Sequence, residues 1–127
     1  MNPIGLDHVV LEVADMEASL AFYQGVLGLE ALRLDEFRSG QVGFVSMRAG
    51  GSLVDLLPSE RPGPGPHHIC IEFGEGIEAL VQHLAVYGIN VEEPEWRYGA
   101  RGMGKSVYVK DPDGHVVELR TYDDMEH

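Results

Sequence analysis

The chain has 127 residues, 44% of them hydrophobic and 24% charged, which is the make-up of one soluble globular domain with room for a real core. Nine Lys and Arg against 21 Asp and Glu leave a formal net charge of −12, which argues against nucleic acid and anionic membrane as partners. No apolar run approaches the roughly 18 residues of a membrane span, the N-terminus lacks a signal-peptide pattern, and the single cysteine, Cys70, excludes an internal disulfide and fits a cytoplasmic location.

In chain order, residues 4–13 form an apolar, β-branched run and are expected to be a strand. Asp15 then opens a helical pattern as an N-cap. Leu20, Phe22, Tyr23 and Leu27 share a broad face, and Gly28 stops the helix. Residues 29–38, 42–48 and 52–57 read as three more strands, separated by Gly40 and by Gly50-Gly51. Residues 58–66 hold four prolines in nine positions, which makes them a semi-rigid, extended connector.

The same order then returns. Residues 67–73 read as a strand and 76–87 as a helix with Ile77, Leu80, Val81 and Leu84 on one face, ended by Gly88. Residues 89–93, 105–110 and 115–122 read as strands, with Asp111-Pro112-Asp113-Gly114 as a tight turn. Residues 94–104 read as a loop, and its Trp96, Arg97, Tyr98 and Arg101 suit closure over a ligand. The expected fold class is therefore α+β: one domain of two tandem βαβββ modules, 1–57 and 67–127, joined by the 58–66 connector.

The repetition extends to single residues. Gly5-Leu6-Asp7-His8-Val9-Val10 returns sixty positions later as Gly65-Pro66-His67-His68-Ile69-Cys70, so His8 falls on His68. Near the module ends the offset is 63, and Asp55 falls on Glu118. A period this long points to a duplicated supersecondary unit rather than a solenoid. Strand alternation puts His8 with Leu6 and Val10, His68 with Cys70, Glu118 with Val116 and Arg120, and Asp55 with Leu53 and Leu57. All four duplicated positions can thus face one concave surface.

Two imidazoles and a carboxylate with open positions left over suit a catalytic divalent metal, Fe(II) or Mn(II) first, Ni(II) or Zn(II) as alternatives. His8, His68 and Glu118 are the expected ligands. Asp55 holds a fourth place, to ligate, orient a bound water or hold a substrate group. Each alone has a plainer reading: a strand His at a core or rim, or Glu118 paired with Arg120 or a lysine. Arg97, Tyr98, Arg101 and Lys105 are candidates to orient an anionic or phenolic substrate, and Tyr122 is a further one at the rim. His115 is expected to be solvated in its turn, and Cys70 to be a small buried hydrophobe. Asp35 with Glu36, Glu92 with Glu93, and residues 123–126 read as solvating charge. His83 on a helix and the terminal His127 have no support as ligands.

Leu6-Asp7-His8-Val9-Val10-Leu11, Ser19-Leu20-Ala21-Phe22-Tyr23, Leu27-Gly28-Leu29, His67-His68-Ile69 and Asp111-Pro112-Asp113-Gly114-His115-Val116-Val117-Glu118-Leu119 together resemble the vicinal oxygen chelate superfamily of glyoxalases, extradiol dioxygenases, fosfomycin-resistance transferases and bleomycin-resistance proteins. The resemblance implies an open, cup-shaped half-barrel, a homodimer, and a metal held at positions matching His8, His68 and Glu118. It implies Lewis-acid chemistry on a small oxygenated substrate, dioxygenase-like first and glyoxalase-like (lyase or isomerase) second. The alternative is a sequestering protein of the bleomycin-resistance type without catalysis.

Overall fold

The computed structural model describes residues 1–122; the acidic stretch 123–126 and His127 lie outside the described residues. The chain divides into two compact units, Met1–Gly65 and Pro66–His127. Each carries one open four-stranded sheet, and the class is α+β.

In the first unit, β1 (His8–Val13) leads into α1 (Met16–Leu20), which continues as a π-helical turn (Ala21–Val26). β2 (Glu30–Leu32), α2 (Leu34–Arg38), β3 (Val45–Ala49) and β4 (Ser52–Pro58) follow. The sheet order is β1-β4-β3-β2, with β1 parallel to β4 and the other pairs antiparallel. Asp15 caps α1 as expected: its Oδ1 accepts from the backbone N–H of Glu17 at 3.0 Å and of Ala18 at 3.3 Å. In the π-helical turn the Leu27 N–H bonds the Phe22 carbonyl at 3.0 Å. Phe22 and Tyr23 are both buried, with their rings edge-to-face. Gly28, at φ +78, makes the left-handed stop.

The expected strand over 29–38 is a three-residue strand and a helix instead. Arg33 takes a left-handed conformation, φ +60, which no strand continues through. α2 then has Asp35 and Glu36 in its first turn and Arg38 in its last, the charge order that the helix dipole favours.

The second unit runs β5 (Ile69–Glu72), α3 (Ile77–Val86), β6 (Glu95–Gly99), β7 (Gly102–Lys110) and β8 (Val116–Thr121). Its sheet order, β5-β8-β7-β6, repeats the first, again with the outer pair β5–β8 parallel. α3 buries Ile77, Leu80 and Leu84. Here two expectations exchange places. Residues 89–93 form no strand, and the expected loop 94–104 is most of a β-hairpin, with β6 joined to β7 through Ala100-Arg101. The charged and aromatic residues Glu95-Trp96-Arg97-Tyr98 alternate with the strand period of two, a signal hidden by the glycines that follow.

Opposite the ionisable face each sheet carries a buried apolar layer. Leu11, Val13, Val45, Met47, Val54 and Leu56 form that layer in the first unit, and Ile71, Val107, Val109, Val117 and Leu119 form it in the second. Each fully buried aliphatic side chain of this kind stabilises the fold by roughly 1.5–3 kcal/mol. Asp15→Ala should lower stability by about 1 kcal/mol, and Asp15→Ser by much less, because Ser also caps. Urea unfolding checks this, and equal midpoints for Asp15→Ala and wild type would show that the cap is inert.

Candidate functional site

The face away from the apolar layer carries the ionisable groups, and each unit builds the same cluster. Position 10 pairs with Asp55 across β1 and β4, and position 70 pairs with Glu118 across β5 and β8. The histidine stands two residues earlier on the same face in both cases. His8 Nε2 lies 4.0 Å from Asp55 Oδ2 in the first unit, and His68 Nε2 lies 3.1 Å from Glu118 Oε1 in the second. The carboxylates are nearly inaccessible, whereas the histidines are partly open.

Each imidazole is held from behind through its other nitrogen. His8 Nδ1 meets Asp7 Oδ2 at 2.8 Å, and His68 Nδ1 meets His67 Nδ1 at 2.8 Å. Asp7 and His67 occupy the same place in the repeat. A bonded Nδ1 leaves Nε2 to face the carboxylate, the arrangement that orients a metal-binding imidazole. Strand alternation alone sends His67 to the opposite face. Its ring returns to His68 because the residue precedes β5, where the pleat does not constrain it.

Each carboxylate is held on one oxygen by a serine. Ser46 Oγ donates to Asp55 Oδ1 at 2.6 Å, and Ser106 Oγ donates to Glu118 Oε2 at 2.6 Å. The register differs between the two. Ser46 pairs directly with Asp55, whereas Tyr108 pairs with Glu118 and Ser106 reaches it from two residues along the same face. Glu118 also accepts from Arg120 Nη2 at 3.2 Å. The buried Arg120 donates further to Tyr122 Oη and to the carbonyls of Arg97, Tyr98 and Gly102.

These contacts set the protonation of the cluster. Burial alone would push the Glu118 carboxyl up, but the Ser106 hydrogen bond and the Arg120 charge outweigh it and hold the group below the usual carboxylate range. Its ionised form therefore stabilises the fold above the unfolded-state value, and that contribution is lost as pH falls through the folded-state value. His8 is shifted up, first by its hydrogen bond to Asp7 and then, against some desolvation, by the charges of Asp55 and Asp7. That contribution is complete below the unfolded-state value and is lost as pH rises through the folded-state one. The Cys70 thiol is pushed up to about 12, by desolvation first and then by the Glu118 charge. Contrary to expectation Cys70 is exposed, because it shares the open face of β5 with His68.

The residues expected to orient a substrate separate by register. Arg97 shares the Glu118 face but is paired with Glu95. Arg101, in the β6–β7 turn, is paired with Glu72 and lies over the Tyr122 ring at 4.6 Å. Tyr98 and Lys105 lie on the opposite face, where Lys105 sits over the Trp96 ring at 5.4 Å. Tyr122 is buried rather than at a rim, and its hydroxyl accepts from the Arg101 N–H at 3.1 Å and from Arg120 at 2.9 Å. Tyr108, which the sequence reading passed over, stands opposite Glu118, partly exposed and edge-on to His68 with ring centroids 6.0 Å apart.

A second group of donor atoms, from Asp111, Asp113 and His115, lies within 4.8 Å. Asp111 Oδ1 already accepts from the N–H groups of Asp113 at 2.9 Å and of His115 at 2.8 Å, so this carboxylate builds the expected turn. His115 is buried rather than solvated, since the turn folds it inward ahead of β8.

Comparison with known proteins places the chain in a family. Residues 5–119 match the Glyoxalase/Bleomycin resistance protein/Dioxygenase superfamily, and the chain belongs to it. It is 32% identical over 120 residues to Virulence protein STM3117 of Salmonella typhimurium, covering 92% of this chain and 83% of that protein. The crystal structure of that relative superposes with a TM-score of 0.81, over 96% of this chain and 99% of the other, at 29% identity. The human mitochondrial methylmalonyl-CoA epimerase is 32% identical over 127 residues, covering 90% of this chain and 72% of the relative. The lactoylglutathione lyase of Neisseria meningitidis is 30% identical over 123 residues, covering 88% of this chain and 86% of the enzyme.

Two outcomes check the site electrostatics. Asp7→Asn should move the His8 titration midpoint down, as followed by NMR of the ring protons between about pH 5 and about pH 9; an unmoved midpoint would show that Asp7 does not set it. Cys70 should react with iodoacetamide near pH 8 at least about 100-fold more slowly than free cysteine, and Glu118→Gln should recover part of the rate. Reaction at the free-cysteine rate would contradict the upward shift.

Proposed function

We propose that the protein is a divalent-metal-dependent lyase or isomerase acting on a small oxygenated substrate, with His8, His68 and Glu118 as metal ligands. The observation that carries this reading is the cluster repeated in each unit: an imidazole held at Nδ1, with Nε2 turned to a buried, serine-held carboxylate. The spacing in the second unit suits a metal. Two ligand atoms each about 2.1 Å from one ion, at a right angle, stand about 3 Å apart. His68 Nε2 and Glu118 Oε1 are separated by 3.1 Å. The same donors accept Fe(II), Mn(II), Ni(II) or Zn(II). Such an ion, when bound, polarises neighbouring oxygens of a substrate.

The remaining chemistry falls to this chain's own side chains. Asp55 has one oxygen tied to Ser46 and the other, Oδ2, without a bond closer than the 4.0 Å approach of His8. We assign it the proton transfer, taking a proton from a carbon next to a polarised carbonyl and returning it to the same or a neighbouring atom. This favours a lyase or isomerase over the O2 chemistry first expected. The similarity to an epimerase and a lyase supports the same choice. Tyr108, exposed beside His68, is placed to touch a bound substrate.

Elemental analysis and calorimetry on tag-free wild type, Glu118→Ala and Asp55→Asn test the reading. Wild type should hold about one metal ion per chain, and Glu118→Ala should hold none. Asp55→Asn should keep the metal and lose about 100- to 10,000-fold in turnover and in exchange of substrate C–H for solvent deuterium. Full metal content in Glu118→Ala would remove the ligand assignment. Loss of metal in Asp55→Asn would make Asp55 a ligand instead of a base. Small-molecule binding that persists after chelation, with no turnover, would point to sequestration.

A further inference from the structure

Arg120 takes no part in the chemistry proposed above, yet it is 4% exposed and spends its charge on an unusual set of acceptors. Its Nη1 donates to Tyr122 Oη at 2.9 Å and to the Gly102 carbonyl at 3.4 Å. Its Nη2 donates to the Arg97 carbonyl at 2.9 Å, to the Tyr98 carbonyl at 3.2 Å and to Glu118 Oε2 at 3.2 Å. The guanidinium thus joins the β6–β7 hairpin to one oxygen of the carboxylate. Only its Nε–H finds no acceptor among the described residues.

The sequence is shaped around this side chain. A Cβ on Gly99 would come within 1.7 Å of Arg120 Nη1, and one on Gly104 within 2.8 Å of the Thr121 carbonyl and 3.2 Å of the Tyr122 ring. Two glycines therefore leave the space that the guanidinium and its tyrosine fill. Ser106 donates to the same carboxylate oxygen, so Oε2 has two donors while Oε1 faces His68 Nε2 at 3.1 Å. The first unit has no such arginine: Asp55 is held by Ser46 alone.

We infer that Arg120 is a positioning residue that occupies Glu118 Oε2 and so makes Glu118 a one-oxygen metal ligand through Oε1. This rests on the metal reading above. A bidentate carboxylate would need both oxygens free, and Oε2 cannot turn to an ion without abandoning a charge-assisted bond inside the sheet. The hairpin carbonyls fix the guanidinium, and the guanidinium fixes the ligand. The expected loss on removing such an outer support is about 10- to 100-fold in metal affinity.

The test uses full-length protein titrated with Mn(II) or Zn(II) alone, with wild type, Gly99→Ala, Arg120→Lys and Ser46→Ala compared. Gly99→Ala displaces the guanidinium without altering its charge. Arg120→Lys keeps the charge but cannot span the acceptors, and serves if Gly99→Ala does not fold. Infrared difference spectra on metal addition report the splitting of the carboxylate stretches, wide for one-oxygen binding and narrow for two-oxygen binding. Wild type and Ser46→Ala should give the wide splitting, and the Gly99 and Arg120 variants should narrow it and lose about 10- to 100-fold in affinity. Wide splitting and unchanged affinity in both of those variants would overturn the positioning role and leave the metal reading intact. Failure of wild type to bind either metal would overturn both.

Discussion

A carboxylate survives in the interior of a sheet only when its charge is matched, and Glu118 is the point on which the second unit is organised. An unpaired buried charge costs several kcal/mol and is relieved by taking up a proton. Here a serine and an arginine supply the match at one oxygen, and the second oxygen is left for the histidine. The requirement propagates outward. Arg120 must be buried to reach Glu118, so its other N–H groups need acceptors, and the turn end of the β6–β7 hairpin provides them with its carbonyls. The hairpin in turn needs Gly99 and Gly104 to make room. A chain of constraints thus runs from one ionised oxygen of Glu118 to Gly99 and Gly104, on other strands of the same unit.

Alternation along the strands is what permits such a face to exist in a small unit. One side of each sheet supplies a buried apolar layer that carries the stability, interrupted in the second unit by Tyr98 and Lys105. The other side is then available for groups that would be liabilities in the core. Cys70, Val10 and Tyr108 are exposed because they share the face of Asp55 and Glu118, opposite the apolar layer, whereas the two carboxylates on that face are themselves buried.

Much of this was legible in the sequence, and what was missed has physical causes. The duplication, the caps at Asp15, Gly28 and Gly88, and the shared face of His8 with Asp55 and of His68 with Glu118 follow from local rules of period and turn chemistry. α2 was hidden because a single left-handed arginine, not a glycine or proline, breaks the strand. β6 was hidden because its aromatic alternation ends in a glycine-rich turn that looks like loop. The outer supports of the site were beyond reach. Ser46 and Ser106 are unremarkable as residues, and only the register shows that each lies against a carboxylate. The plainer reading of Glu118, as a partner of Arg120, is borne out at Oε2. The other oxygen, Oε1, faces His68, and it is the atom for which the ligand role is proposed.

The two units share one pattern but differ in how tightly each carboxylate is held. Glu118 has three groups on its two oxygens within 3.2 Å, counting His68, and its partner Arg120 is itself fixed by backbone. Asp55 is one methylene shorter, has one hydrogen bond, and stands 4.0 Å from its histidine. A ligand gains from restraint, because each lost degree of freedom raises affinity for a fixed geometry. A proton carrier needs one oxygen free to approach a substrate atom and withdraw. In the proposed function the two repeated carboxylates do different work, and chain length and hydrogen bonding suit each to its part. In this reading the divergence of Asp55 from Glu118 is not decay of a fourth ligand but the step that gives a metal-binding scaffold its base.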